Sequence, residues 1–171
     1  MLRATGGYDG DVLFENLELE RTVRAAGGRV VSRPGIYVLR RPPSLRHFSS
    51  QRVRQAYDSF AQPARLALEL SLLPVVLLAP GRRTRARVLL SVSVAAVALA
   101  EMGRRRAGGA RVFPPSSALW APAWVAERAV TIWLAAGYRL RGGVPYSGSK
   151  LRRAASSTRV LRRRVSRRQT R

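Results

Sequence analysis

Cysteine is absent from the chain, which removes disulfides, thiolate metal ligands and cysteine nucleophiles at once. Lysine is almost absent too: of 32 basic residues only Lys150 is not an arginine. Histidine is reduced to His47, with no acidic or histidine neighbour at ligand spacing, so neither catalysis nor metal binding is expected of it. No apolar core follows the first residues, and no secretory signal is read there. Acids are scarce, nine against those 32 bases, for a net charge of +23. Such a charge attracts nucleic acid or an anionic membrane face without choosing between them. No zinc-ligand spacing or aromatic RNA-binding motif accompanies it, so no specific nucleic acid is expected as a partner.

The few acids are not scattered. Asp9, Asp11, Glu15, Glu18 and Glu20 fall within twelve residues. Asp9 and Asp11 are placed to cap a helix with Glu15 in its first turn. Asp9-Gly10-Asp11 is read as a cap or turn and not as a metal site. Val12, Leu13, Leu17, Leu19 and Val23 keep helical spacing with Asn16 on their face, Glu15, Glu18 and Thr22 lie opposite, and Gly27-Gly28 supplies a left-handed stop. Residues 29–32 and 36–40 read as two short strands across Arg33-Pro34-Gly35. In residues 44–58, Leu45, Phe48, Val53 and Ala56 alternate with Arg46, His47, Gln51, Arg52 and Arg54. That pattern predicts an amphipathic helix with a basic face, suited to a membrane surface or a phosphate-bearing ligand.

Composition then shifts. Residues 64–80 carry one charge beyond their first two positions, Glu69, and residues 88–100 carry none. Neither shows a polar face, and two membrane spans are expected although each apolar core is shorter than the ~20 residues of a straight span. Residues 119–136 hold three tryptophans but also Glu127-Arg128, which predicts an interfacial helix, with a third span as the alternative. Two spans return the tail, whose last 34 residues contain twelve bases and no acid, to the side of the N-terminal part. The positive-inside tendency makes that side cytoplasmic, in the cell membrane, with the tail disordered or touching anionic head groups.

The order of motifs resembles the C-terminal half of family 2 glycosyltransferases. Gly6-Gly7-Tyr8-Asp9, then Glu15-Asn16 opening a helix, then Gly27 and Pro34, match the family's Gly-Gly-aromatic-Asp and acidic-pair segments. Gln51-Arg52-Val53-Arg54-Gln55 stands where its Gln-x-x-Arg-Trp motif lies, and residues 142–148 look like its closing segment. The resemblance implies an α+β fragment followed by membrane helices. Residues 1–43 would be the C-terminal part of a GT-A-like domain (a helix plus two short strands), and 44–62 an amphipathic interfacial helix. Residues 63–112 would form two transmembrane helices, 113–140 an interfacial helix, and 141–171 a disordered basic tail.

It also implies a nucleotide-sugar donor and a hydroxyl acceptor as partners. A carboxylate base takes the acceptor's proton, and cations hold the departing diphosphate. Glu15 inherits the base role, because Asn16 stands where the family has an aspartate and can only position. Gly7, Tyr8, Asp9, Gln51 and Arg54 are implied in substrate binding, with Arg54 facing diphosphate or acceptor through its planar fork. Gln55 replaces the family's tryptophan. No cofactor is assigned to this chain; the family's divalent metal, magnesium or manganese, belongs to an Asp-x-Asp pair in its N-terminal half. Without the resemblance, Glu15, Glu18 and Glu20 are a solvated helix face. The chain is then a small basic membrane protein with a structural or interaction role.

Overall fold

The computed structural model describes residues 7, 9–146 and 148–169. It is mostly helical: α1 (Glu15–Ala25), α2 (Leu45–Tyr57), α3 (Pro63–Leu78), α4 (Gly81–Arg105), α5 (Ala121–Leu140) and α6 (Thr158–Gln169). One hairpin, β1 (Val144–Tyr146) with β2 (Ser149–Leu151), pairs antiparallel with Val144 opposite Leu151. Gly143 opens it at φ 127°, and a Cβ there would lie 2.5 Å from the Leu151 carbonyl oxygen, so only glycine fits.

The core lies where α2 crosses α5. Ala56, Tyr57 and Ala61 meet Ile132, Ala135, Val144 and Ala154, with Leu13, Phe14, Leu17 and Val53 packed around them. Removing these side chains from water is the main stabilisation of this half of the molecule. Ser44 caps α2, accepting the His47 N–H, and Gly27 ends α1 at φ 78° as expected of the Gly27-Gly28 pair. Arg52, expected on a basic face toward a membrane surface or a phosphate-bearing ligand, is instead buried; it donates to Glu127 of α5 and to Gln55 at 2.8 Å. Glu69 of α3 is likewise buried, accepting from Ser59 at 2.7 Å and Arg65 at 2.8 Å, with Arg128 of α5 at 3.9 Å. The charges in the middle of apolar helices are thus neutralised by each other.

Three expectations are corrected. Residues 29–32 and 36–40 form no strands; 28–44 is an irregular loop with Val31, Ile36, Val38 and Leu39 exposed. Their β-branched, apolar runs lack a neighbouring strand, and an extended segment is stable only with its ladder formed. Tyr37 instead anchors the loop, donating to the Ala107 carbonyl at 3.1 Å and packing edge-on against Phe113. Secondly, Asp9 and Asp11 do not cap α1, which begins at Glu15 behind Phe14 with no side-chain cap. Thirdly, the described residues of the tail, 141–146 and 148–169, are ordered, as the hairpin and α6.

What orders the tail is the acidic segment. Leu13 and Phe14 donate to the carbonyls of Arg153 and Ala154 at 3.0 and 2.7 Å. Glu18, expected on the solvated side, is 0 % exposed and accepts the Ser156 N–H, while Arg21 donates to the Ser156 and Ala61 carbonyls. Tyr57 donates to the Arg152 carbonyl at 2.8 Å.

Outside this core the molecule is apolar and open. Among the described residues, one helix is long and apolar enough to cross a membrane. It lies within Gly81–Arg111, with a window of mean hydropathy 1.6 that is 0 % buried. The 16 residues of α3 rise ~24 Å, short of a ~30 Å hydrocarbon layer. Trp120, Trp124 and Trp133 of the α5 region are exposed, and α3, α4 and α5 enclose an apolar cavity of about 300 Å³.

Candidate functional site

Gln51, Arg54, Gln55 and Asp58 follow one another at i, i+3, i+4 and i+7, the spacing that brings side chains to one helix face. The face is real: the four line a cleft of about 300 Å³, completed by Leu13 and by Tyr146 of β1. Burial of Ala56 and Tyr57 against α5 fixes the roll of α2, so the intervening polar positions look into the cleft. Tyr146 arrives from the far end of the chain on the hairpin that Gly143 opens. The Arg54 guanidinium lies 5.4 Å from its ring centroid, a cation–π distance that orients the fork without occupying its donors.

Asp58 begins the 3-10 turn Asp58–Ala61 after α2. It is half-buried, and its Oδ1 is shielded from solvent without a hydrogen-bond partner. Burial pushes its carboxyl up to about 6, only partly opposed by Arg65 and Arg128. Gln51 makes a 2.7 Å contact with the His47 ring, one turn earlier on α2. A guanidinium, two amides, a carboxyl and a phenol around such a volume suit a hydroxyl- or phosphate-bearing ligand.

The cleft gathers Gln51 and Arg54 of the expected site residues and leaves the others elsewhere. Glu15 and Asn16, in the first turn of α1, are exposed and do not line it, although Leu13 two residues earlier does. Asp9 accepts the Asp11 N–H at 3.0 Å and pairs with Arg153 and Arg164 of the tail, a turn and clamp in place of a ligand site. These contacts, the Asp11 N–H first, hold its carboxyl below the usual aspartate range. Gly7 adopts φ 81°, and Tyr8 lies outside the described residues.

Asp58 and Tyr146 were missed by the sequence argument. Asp58 carried a signal, standing four residues after Arg54 on the same helical face. Tyr146 lies in the 142–148 segment that the resemblance singled out, but nothing local pairs it with Arg54, 92 positions away. Among the described residues no group of three or more histidine or acidic side chains is placed to hold a metal ion. No protein-family model matches the chain, and comparisons with curated proteins and with solved structures find no match.

Proposed function

We propose that the chain is the acceptor-side part of a membrane-anchored glycosyltransferase of the family 2 type, moving a sugar from a nucleotide-diphosphate donor to a hydroxyl acceptor. The observation that carries this reading is the cleft. Gln51 and Arg54 line it together, on a helix that leads into the apolar helices. Arg54 would receive the diphosphate, because a fixed guanidinium gains most where charge grows on a leaving group. Leu13 lines the rim, and Tyr146 offers the aromatic face that Gln55 does not.

In this reading α4 crosses the membrane, α3 enters it as a second, shorter span, and α5 stays at the interface with its tryptophans at head-group depth. The cleft and basic tail then face the cytoplasm, where anionic lipids meet the arginines. The donor-binding units and their metal belong to a segment other than this one.

The test uses the chain in phosphatidylcholine nanodiscs, with pyrophosphate titrated by calorimetry. Saturable binding is expected, weakened about tenfold to a hundredfold in Arg54→Ala, the cost of losing a charge-assisted pair. Equal binding by the variant, or none by the wild type, rejects the assignment. A second reading, a basic membrane protein without catalysis, is favoured by one observation: Asp9 and Glu18 both serve to hold the tail.

A further inference from the structure

Two carboxylates are candidates to accept a proton in such a transfer, and position separates them. Glu15 is exposed on the first turn of α1 and outside the cleft lining. Asp58 lines the cleft beside Arg54 and Tyr146. The other sheltered carboxylates lie outside the cleft lining and are held through at least one oxygen: Glu18 by the Ser156 N–H, Glu69 by Ser59 and Arg65, Glu127 by Arg52, although Glu18 Oε1 and Glu127 Oε1 are themselves unmatched. Asp58 keeps a desolvated Oδ1 with no donor facing it.

From this placement we infer that Asp58 is the catalytic base of the cleft, taking the proton of the acceptor hydroxyl. The inference rests on the transferase reading. The acceptor oxygen attacks the anomeric carbon of a nucleotide-sugar, forming the new carbon–oxygen bond. The bond from that carbon to the phosphate oxygen breaks, and the nucleoside diphosphate leaves with its electron pair. The acceptor's proton passes to the Asp58 carboxylate, and Arg54 meets the charge growing on the diphosphate. The charged groups that bear on Asp58 are Arg65 from α3 and Arg128 from α5, which favour its ionised form, with Arg54 of its own helix in the same cleft; burial opposes them. A carboxyl titrating near 6 is ionised at neutral pH and still basic enough to accept a proton.

The chain contains three aspartates, Asp9, Asp11 and Asp58, so aspartate-selective carbon-13 labelling in nanodiscs yields three carboxyl signals. One signal, missing from Asp58→Asn, is expected to titrate near pH 6 and to move upward when pyrophosphate is added, but not in Arg54→Ala. Unchanged Asp9 and Asp11 signals in Asp58→Asn establish that the variant is folded. Sugar transfer from a panel of nucleotide-sugars to lipid hydroxyls is measured on the gene's full reading frame. There Asp58→Asn is expected to lower kcat about a hundredfold or more, with KM nearly unchanged and the acid limb near pH 6 gone, while Glu15→Gln stays active. Transfer lost in Glu15→Gln but kept in Asp58→Asn overturns the base assignment and leaves the transferase. An Asp58 signal at the ordinary aspartate position, indifferent to pyrophosphate, also overturns it. No transfer by the wild type from any donor rejects the transferase reading and the base role with it.

Discussion

Glu18 Oε2 accepts the Ser156 backbone N–H at 2.5 Å, across 138 positions of sequence, from a side chain with no exposure to solvent. This bond ties the acidic segment to the basic tail and holds in place the stretch that leads back to the hairpin bearing Tyr146. Replacing Glu18 with alanine leaves a buried N–H without an acceptor and opens a cavity. The expected cost is about 2–3 kcal/mol. A fall of roughly 4–12 °C in the thermal midpoint follows for a chain of this size. Glu18→Gln keeps an acceptor oxygen and should recover most of the loss; a midpoint unchanged in Glu18→Ala would show the contact to be dispensable.

Asp9 adds an electrostatic clamp on the same tail through Arg153 and Arg164. Its carboxyl titrates below the ordinary 3.8 in the fold, with the Asp11 N–H as the leading cause. The stabilisation is therefore complete above that ordinary value and disappears as pH falls through the lower, folded one. Asp9→Asn should raise amide hydrogen exchange in α6 at pH 7, and acidification below about 4 should reproduce this in the wild type. Equal exchange in variant and wild type at neutral pH would exclude the clamp.

The raised Asp58 carboxyl works in the opposite direction. The unfolded chain releases this proton near 3.8, the fold near 6. Between those values the fold holds a proton that the unfolded chain has lost, so stability declines as pH rises through the window and the deficit persists above it. Asp58→Asn removes the deficit. With its partial exposure discounted, the gain at pH 8 is about 1 kcal/mol, or roughly 2–4 °C, vanishing below pH 4. A variant less stable than wild type at pH 8 contradicts the burial argument.

Because the chain contains no cysteine, single cysteines report insertion without background. In phosphatidylcholine vesicles Val94→Cys, in the middle of α4, should resist a membrane-impermeant maleimide, while Arg105→Cys at its end should react. Full labelling of Val94→Cys would remove α4 from the bilayer.

Gly143→Ala forces a methyl group against the Leu151 carbonyl. The hairpin must then shift or open, at about 1–3 kcal/mol. Tyr146 leaves Arg54, so faster amide exchange at residues 149–151 should accompany weaker pyrophosphate binding. Protection unchanged from wild type would show that the turn accommodates alanine.

The helices were legible because their information is local. The stripe of α2, the Gly27 stop and the apolar runs behind α3 and α4 depend on residues within a few turns of one another, where periodicity and backbone preference act. Half of the cleft was legible for the same reason, since Gln51 and Arg54 share a face by spacing alone. Residues 29–40 show the limit: short β-branched and aromatic runs propose strands, but a ladder needs a second chain segment, and none lies alongside in the described residues. The tail shows the converse. Its composition argues for disorder, yet Asp9, Glu18 and Tyr57 supply its partners from more than ninety positions away. By itself the sequence determined where the helices run, which of them are apolar, and that Gln51 and Arg54 face the same way. Only the tertiary structure decided that the acidic segment binds the tail, that Tyr146 closes the cleft, and that Asp58 is the carboxyl lining it. Burial and long-range pairing are properties of the packed chain, and a carboxylate's role follows from what surrounds it.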